Sequence, residues 1–170
     1  MDKNNLTTLP RNLMKCPQLE SLDLGMNQLT RLDLSSLRNT KGLIQLDVYG
    51  NRITTVLASS PIKLDALRSL RIDNNDLVQV NFTGCDFPTI QEISLTENKL
   101  TNVPPNVFKQ FPSAVVNLAR NSIPCDKLVT FKNQLTERKL QVAFPRTVQK
   151  CQIRETKVEL NNETVVCCNI

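Results

Sequence analysis

Two aspartates, Asp23 and Asp47, occupy the same position of two matching sequence stretches and are the best candidates for acid–base chemistry in the chain. On adjacent strands their carboxylates would lie about 5 Å apart, which is the separation found in retaining glycosidases. Arg71 takes the same position in the next stretch, where its charge can neutralise the pair. An open sheet also implies no substrate pocket. We therefore expect these residues to bind a partner rather than to catalyse.

The chain offers no stronger catalytic arrangement. It contains no histidine, which excludes Ser-His-Asp and Cys-His catalysis. Its four glycines form neither a dinucleotide-binding nor a phosphate-binding motif. Paired C-x2-C spacings, which mark zinc sites, are missing as well. The sequence predicts a non-enzymatic protein with no cofactor and no metal.

The two aspartates belong to a larger set of outward positions that form a candidate partner-binding surface. Three columns run across the predicted strands: Ser21, Gln45, Ser69, Glu92 and Val115; Asp23, Asp47, Arg71, Ser94 and Asn117; Gly25, Tyr49, Asp73, Thr96 and Ala119. We select as binding residues Asp47, Tyr49, Arg71, Asp73 and Glu92. Tyr49 is the only tyrosine, and a rigid amphipathic ring can act as a hot spot. The alternative is an ordinary solvated face with an exposed tyrosine.

A repeat of the form L-x-x-L-x-L-x-x-N-x-L positions these residues. It occupies residues 19–29, 43–53, 67–77, 90–100 and, more weakly, 113–123, after a truncated first copy. The marker asparagines are Asn4, Asn27, Asn51, Asn75, Asn98 and Asn121, at intervals of 23, 24, 24, 23 and 23 residues. That period lies in the leucine-rich repeat range of roughly 20–29 residues. Alternation within each copy predicts a short strand, and the buried amides should satisfy backbone groups of neighbouring turns.

We therefore predict an α/β leucine-rich repeat solenoid. Residues 1–123 would form the repeats, with a curved parallel sheet on the concave side and irregular or short helical connectors on the convex side. Residues 124–170 would form a C-terminal cap. The cap should begin with a helix over residues 126–140, capped by Asp126, and continue as short strands.

Six cysteines divide between the two regions. Cys16 and Cys85 fall in different connectors, too far apart to pair, and we expect both to be buried free thiols. The other four lie in the cap, where an even set is typical of disulfides in an oxidising compartment. Our first-choice bridge is Cys125–Cys151. A bridge between the adjacent Cys167 and Cys168 would be strained, so we expect at least one of them to pair outside this segment, for instance with another chain.

Charge and termini restrict the class of protein further. The net charge is +5, and the basic residues are densest after the repeats, without the aromatic residues that would stack on bases; we interpret them as a solvated face and expect no nucleic-acid partner. No apolar stretch reaches the roughly 18 residues of a membrane span. The chain starts in mid-repeat without a signal peptide, which indicates a fragment or processed form of a longer protein. Sequons at Asn5, Asn81 and Asn162 permit glycosylation after secretion.

The cap carries a more specific resemblance. NSIPCDKLVTF, QKCQ and VVCCNI resemble the Cys…Cys…Cys-Cys signature that closes the repeat domain in the leucine-rich repeat immune proteins of mosquitoes. The resemblance implies secretion, an interchain disulfide from Cys167 or Cys168 to a related leucine-rich repeat chain, and binding of a complement-like thioester protein. The chain departs from that family by lacking both the signal and the coiled coil. It also departs from typical extracellular caps, because no second cysteine follows Cys125 at C-x-C spacing.

These observations predict a secreted innate-immune recognition module that works by binding a protein. Two alternatives remain: a receptor ectodomain fragment, and an intracellular repeat scaffold or inhibitor whose cysteines stay reduced.

Overall fold

A computed structural model describes residues 2–10 and 16–142, together with the backbone of residues 155–159 and 165–169. The strands are β1 (Ser21–Asp23), β2 (Arg31–Asp33), β3 (Gln45–Asp47), β4 (Thr55–Leu57), β5 (Ile62–Lys63), β6 (Ser69–Arg71), β7 (Cys85–Asp86), β8 (Glu92–Ser94), β9 (Val115–Asn117), β10 (Leu140–Gln141), β11 (Glu155–Glu159) and β12 (Val165–Asn169). The helices are a 3₁₀ helix at Leu34–Leu37 and the α-helices α1 (Val107–Gln110), α2 (Cys125–Val129) and α3 (Lys132–Thr136).

Six strands form one parallel sheet in the order β1-β3-β6-β8-β9-β10. Their register is strict, so that Leu22 lies beside Leu46, and Leu46 beside Leu70. These central residues point inward and are buried, because side chains alternate across a strand. Stacked leucine, isoleucine and valine columns thus form one continuous core. The prediction of an α/β repeat solenoid is confirmed.

The marker asparagines form the expected ladder inside the coil. The Oδ1 atom of Asn75 accepts the N–H of Ile53 in the preceding turn at 2.9 Å. Its Nδ2 donates to the carbonyls of Val48 at 3.1 Å and Ile72 at 3.2 Å, one in each of two adjacent turns. Asn51, Asn98 and Asn121 repeat both sets of bonds, and Asn27 likewise accepts the N–H of Leu6 in the preceding turn. All four, like Asn75, are at most 9% exposed. Asn4, in the truncated first copy, differs because it is exposed.

The residue before each marker asparagine adopts a left-handed conformation. The φ angles are 52° at Lys3, 52° at Met26, 65° at Gly50, 51° at Asn74, 56° at Glu97 and 56° at Arg120. At this point every turn of the solenoid leaves the sheet and directs its asparagine inward. Sequence reasoning missed this column because five of its six members are not glycine, the residue that usually marks positive φ.

The convex connectors are more regular than predicted. Besides the 3₁₀ helix and α1, they contain two small parallel sheets, β2 with β4 and β5 with β7. Connectors of nearly equal length stack in register, so Leu32 lies beside Val56 and both are buried. Farther along, Phe111 packs against Phe82 and Phe87, with ring centroids 5.6 and 5.5 Å apart.

The single helix predicted over residues 126–140 is wrong. Two short helices, α2 and α3, take its place, with a break at Thr130, whose Oγ1 donates to the carbonyl of Lys127 at 3.0 Å. Asp126 lies in the first turn of α2, where Pro124 holds the N-cap position. Leu140 belongs to β10, which adds a sixth strand to the sheet and pairs with the otherwise open edge of β9. The pairing satisfies backbone groups of β9 that a longer helix would leave unpaired.

The end of the cap contains an antiparallel pair, β11 with β12, in keeping with the short strands expected there. In its register Cys167 lies opposite Lys157, and Cys168 opposite Thr156. Cys151 lies outside the described residues, as do the side chains of Cys125, Cys167 and Cys168. Their predicted disulfides therefore remain predictions, as does the boundary at residue 123.

Candidate partner-binding surface

The outward side of the six-stranded sheet, called the concave face below, carries the predicted columns in register. Asp23 lies beside Asp47, Asp47 beside Arg71, and Arg71 beside Ser94. Because all strands are parallel and unshifted, residues of adjacent repeats lie side by side. Not every column member reaches the surface, since Ser94 is 7% and Ala119 is 2% exposed.

Arg71 is the centre of the concave face. Its Nη1 lies 3.2 Å from Oδ2 of Asp47, and its Nε lies 2.7 Å from Oδ2 of Asp73. The guanidinium carbon also lies 4.9 Å from the centre of the Tyr49 ring. The hydrogen bond to Asp73 raises the pKa of Arg71, against an opposing effect of burial. Arg71 therefore joins four of the selected positions, including itself, into one contiguous cluster.

The aspartates have a second role that sequence reasoning missed. Each directs its other carboxylate oxygen to backbone beyond a strand end: Oδ1 of Asp47 accepts the N–H of Tyr49 at 2.8 Å, and Oδ1 of Asp73 accepts the N–H of Thr96 at 2.9 Å. Asp23 does the same with Gly25 at 2.8 Å. Asp and Asn often bond the backbone two residues onward, and that preference was the available signal for Asp23 and Asp47, whereas Asp73 bonds to the next repeat.

This bonding also bears on the pairing of Asp23 with Asp47. The expectation that Arg71 would neutralise this site is met, because Arg71 contacts Asp47 directly. One oxygen of each carboxylate accepts a backbone N–H group just beyond its strand, from Gly25 or Tyr49. Both aspartates therefore fix the backbone at this edge of the concave face.

Tyr49 and Glu92 differ in how freely they can meet a partner. The Tyr49 ring is half-buried between Arg71 and the backbone of Gly25, where an added Cβ would stand 3.4 Å from the ring. Glu92 is exposed on the neighbouring strand, beside Ser69, and forms no ion pair with other residues in the described part of the chain. The structure thus brings four selected residues together and leaves Glu92 one strand away.

A second polar cluster lies on the convex side around Asp33. Its Oδ1 accepts the hydroxyl of Ser35 at 2.7 Å and the backbone N–H of Ser59, one repeat onward, at 3.1 Å. Burial opposes ionisation of Asp33, but hydrogen bonds from Ser35 and Ser59 outweigh it and lower the pKa to about 2. This carboxylate fastens two connectors together.

The two repeat-region cysteines do not behave alike. Cys85 is buried as predicted, and burial, with a smaller contribution from the charge of Asp33, raises the pKa of its thiol to about 12. The prediction that Cys16 is buried is wrong, because it is exposed.

Two of the three sequons lie within the described residues. Asn81 is exposed on the convex side, and its Oδ1 accepts the N–H of Thr83 at 2.8 Å. Asn5 is exposed and accepts a hydrogen bond from the Gln28 side chain at 3.1 Å. Asn162 lies outside the described residues.

Comparison with known proteins agrees with this architecture. Residues 17–77 match the leucine rich repeat family. This chain has the leucine-rich repeat fold. A solved leucine-rich repeat protein of Leptospira interrogans shares the fold, with a TM-score of 0.52 and 19% identity over 86% of this chain and 42% of that one.

Two proteins of similar sequence align with all or most of this chain. Osteomodulin of Bos taurus is 26% identical over 181 residues, covering 100% of this chain and 42% of osteomodulin. Tsukushi of Gallus gallus is 31% identical over 129 residues, covering 74% of this chain and 34% of Tsukushi. The leucine-rich repeat chain therefore spans less than half the length of these relatives. Within its described part, no helix is long and apolar enough to cross a membrane.

Proposed function

We propose that this chain is a protein-recognition module of an extracellular leucine-rich repeat protein, and that its concave face binds the partner. The observation that carries the proposal is the Arg71 cluster on that face. Asp47 and Asp73 are each 13% exposed and bonded to backbone, so the guanidinium of Arg71 is held in a defined position. Side chains ordered before binding lose less conformational entropy on association, which favours affinity.

Residue types on the face also favour protein recognition. Arginine and tyrosine are enriched among the residues that dominate binding energy in protein interfaces. Arg71 and Tyr49 contact each other near the middle of the sheet, and Glu92 extends the surface to the next strand. Fold alone does not define a ligand, so the proposal rests on this arrangement.

An extracellular location is supported by the relatives, because osteomodulin and Tsukushi are secreted proteins of the extracellular matrix. Glycosylation would follow from secretion. Asn81 is a suitable acceptor, because its bond to Thr83 engages the oxygen and leaves Nδ2 available. A glycan there would lie on the convex side and leave the concave face open.

The finer proposal is a role in innate immunity, supported by the cysteine pattern of the cap. The partner would be a complement-like thioester protein. A related leucine-rich repeat chain would be joined through Cys167 or Cys168, with Cys125–Cys151 as the bridge within the cap. Mass mapping without reduction, on protein from its natural source, tests these pairings. Free thiols at all four positions would contradict secretion and favour the intracellular scaffold.

The concave-face proposal is tested with two double variants. Tyr49→Ala with Asp47→Ala removes half of the cluster, whereas Lys63→Ala with Asp65→Ala removes an exposed connector ion pair of 2.6 Å as a matched control. Binding to a purified thioester protein is measured by interferometry. We expect the first variant to weaken binding at least tenfold, as for a hot spot, and the control to leave it unchanged. Equal affinity of the first variant and wild type would move the site to the cap or the convex side.

A further inference from the structure

The charge on the concave face is opposite to that of the protein. Its fifteen column positions contain one cation, Arg71, and four carboxylates, at Asp23, Asp47, Asp73 and Glu92, so the net charge is −3. The whole chain has 21 Lys and Arg against 16 Asp and Glu, which leaves a net charge of +8 for all other positions. Each of the neighbouring strands β1, β3, β6 and β8 contributes one of these carboxylates, either within the strand or, for Asp73, two residues after it. Together they form a stripe across four strands.

Within this stripe the carboxylates fall into two classes. Asp47 and Asp73 are each bonded to Arg71. Asp23 and Glu92 are exposed and form no ion pair within the described residues. Beyond β9, Lys139 pairs with Glu137 at 3.1 Å, so that end of the sheet is balanced. Two of the three unbalanced negative charges therefore sit at Asp23 and Glu92, on either side of Arg71, and the third remains in the cluster of Arg71 with its two aspartates.

From this arrangement we propose that the concave face docks a cationic segment of its protein partner, with one Lys or Arg at Asp23 and another at Glu92. Three strand spacings of about 4.8 Å separate β1 from β8, and Glu92 is offset from Asp23 by two residues along the strand, so the two residues lie roughly 16 Å apart. A single small cation cannot bridge them. A polypeptide bearing two or more basic side chains can, and the opposite net charges of face and segment accelerate their encounter.

The central cluster gives this inference a directional consequence. Arg71 already occupies the position between Asp47 and Asp73 that an incoming guanidinium or ammonium would take. Removing its charge leaves those two carboxylates available and changes the net charge of the face from −3 to −4. A cationic ligand should then bind more tightly, an effect that a merely damaged protein would not produce.

The inference rests on the proposed function but can fail separately from it. If Tyr49→Ala with Asp47→Ala abolishes partner binding while neutralising Asp23 and Glu92 has no effect, the concave face is the site and its ligand is not cationic. If neither changes binding, both proposals fail.

The test uses fluorescent decalysine as probe, with decaglutamate as its opposite, and measures anisotropy on the full chain at about 0.01 M and about 0.15 M salt. Asp23→Asn with Glu92→Gln should weaken decalysine binding about fivefold, as two exposed ion pairs imply. Asp126→Asn with Glu137→Gln makes the same change of charge in the cap and should have no effect. Arg71→Gln should tighten binding. Equal losses in the first two variants, no loss in the first, or weaker binding by Arg71→Gln would each overturn the proposal.

Discussion

Polar side chains have different roles in the interior of the coil and on its concave face. Inside, each buried asparagine amide bonds to two turns, so its loss would leave donors and acceptors without water or partner. On the face, Arg71 pairs with Asp47 and Asp73, and the two aspartates also accept backbone N–H groups beyond the strand ends, with solvent beside them. The difference teaches that the interior bonds maintain the stack, whereas the surface bonds mainly hold side chains in position for a partner.

The largest effect is expected from breaking the interior ladder. Asn75→Ala removes the acceptor for Ile53 and the donor to Val48 and Ile72, all within the buried coil. We expect a loss of about 2–4 kcal/mol in the free energy of unfolding, because buried groups are left unsatisfied. Urea unfolding followed by circular dichroism measures it. The exposed Asn102→Ala serves as control, and a loss for Asn75→Ala no greater than for the control would remove the contrast between the two regions.

Gly50 lies between the two regions, because its left-handed backbone directs Asn51 into the interior while Tyr49 remains on the concave face. With φ at 65° and an added Cβ 2.6 Å from Sδ of Met26, Gly50→Ala should cost about 1–2 kcal/mol. The melting temperature measures this cost. Adding Met26→Ala should recover only the part due to the clash. Complete recovery would mean that the backbone conformation carries no strain.

Asp33 provides an intermediate case, a partly buried carboxylate that joins two connectors. Its pKa is lowered from 3.8 to about 2 in the folded state, so its stabilisation is present above pH 4 and is lost as the pH falls toward 2. Unfolding at pH 5 and pH 2.5 should therefore differ by on the order of 1 kcal/mol more in wild type than in Asp33→Asn. Identical pH dependence in both proteins would show that the Ser35 and Ser59 bonds do not favour the charged form.

The smallest effect on stability is expected on the concave face. Arg71→Ala removes two ion pairs of a side chain that is 46% exposed, and we expect it to cost less than about 1 kcal/mol. Thermal unfolding checks this, with Lys63→Ala as a control for an exposed pair. A loss as large as that of Asn75→Ala would mean that the cluster is a structural element and would weaken its interpretation as a recognition surface.

Prediction from sequence succeeded where one residue type has one physical role in every repeat. The leucine columns and marker asparagines predicted the parallel register, and hence that Asp47 lies beside Arg71. It failed where the outcome depends on competition between local structure and a distant partner. Leu140 was predicted as the last residue of a helix but pairs with β9, and Cys16 was predicted to be buried but is exposed.

The repeated apolar and asparagine positions by themselves determined the solenoid, its period and the columns of the concave face, because stacking similar turns leaves one register that buries the central apolar residue of each strand. Only the tertiary structure decided that Arg71 lies against Tyr49 between two aspartates, that those aspartates also hold strand ends, and that the cap supplies a sixth strand. These contacts join side chains and backbone of different turns at distances of about 3–5 Å, and their choice among several donors and acceptors depends on geometry that no spacing in the sequence records.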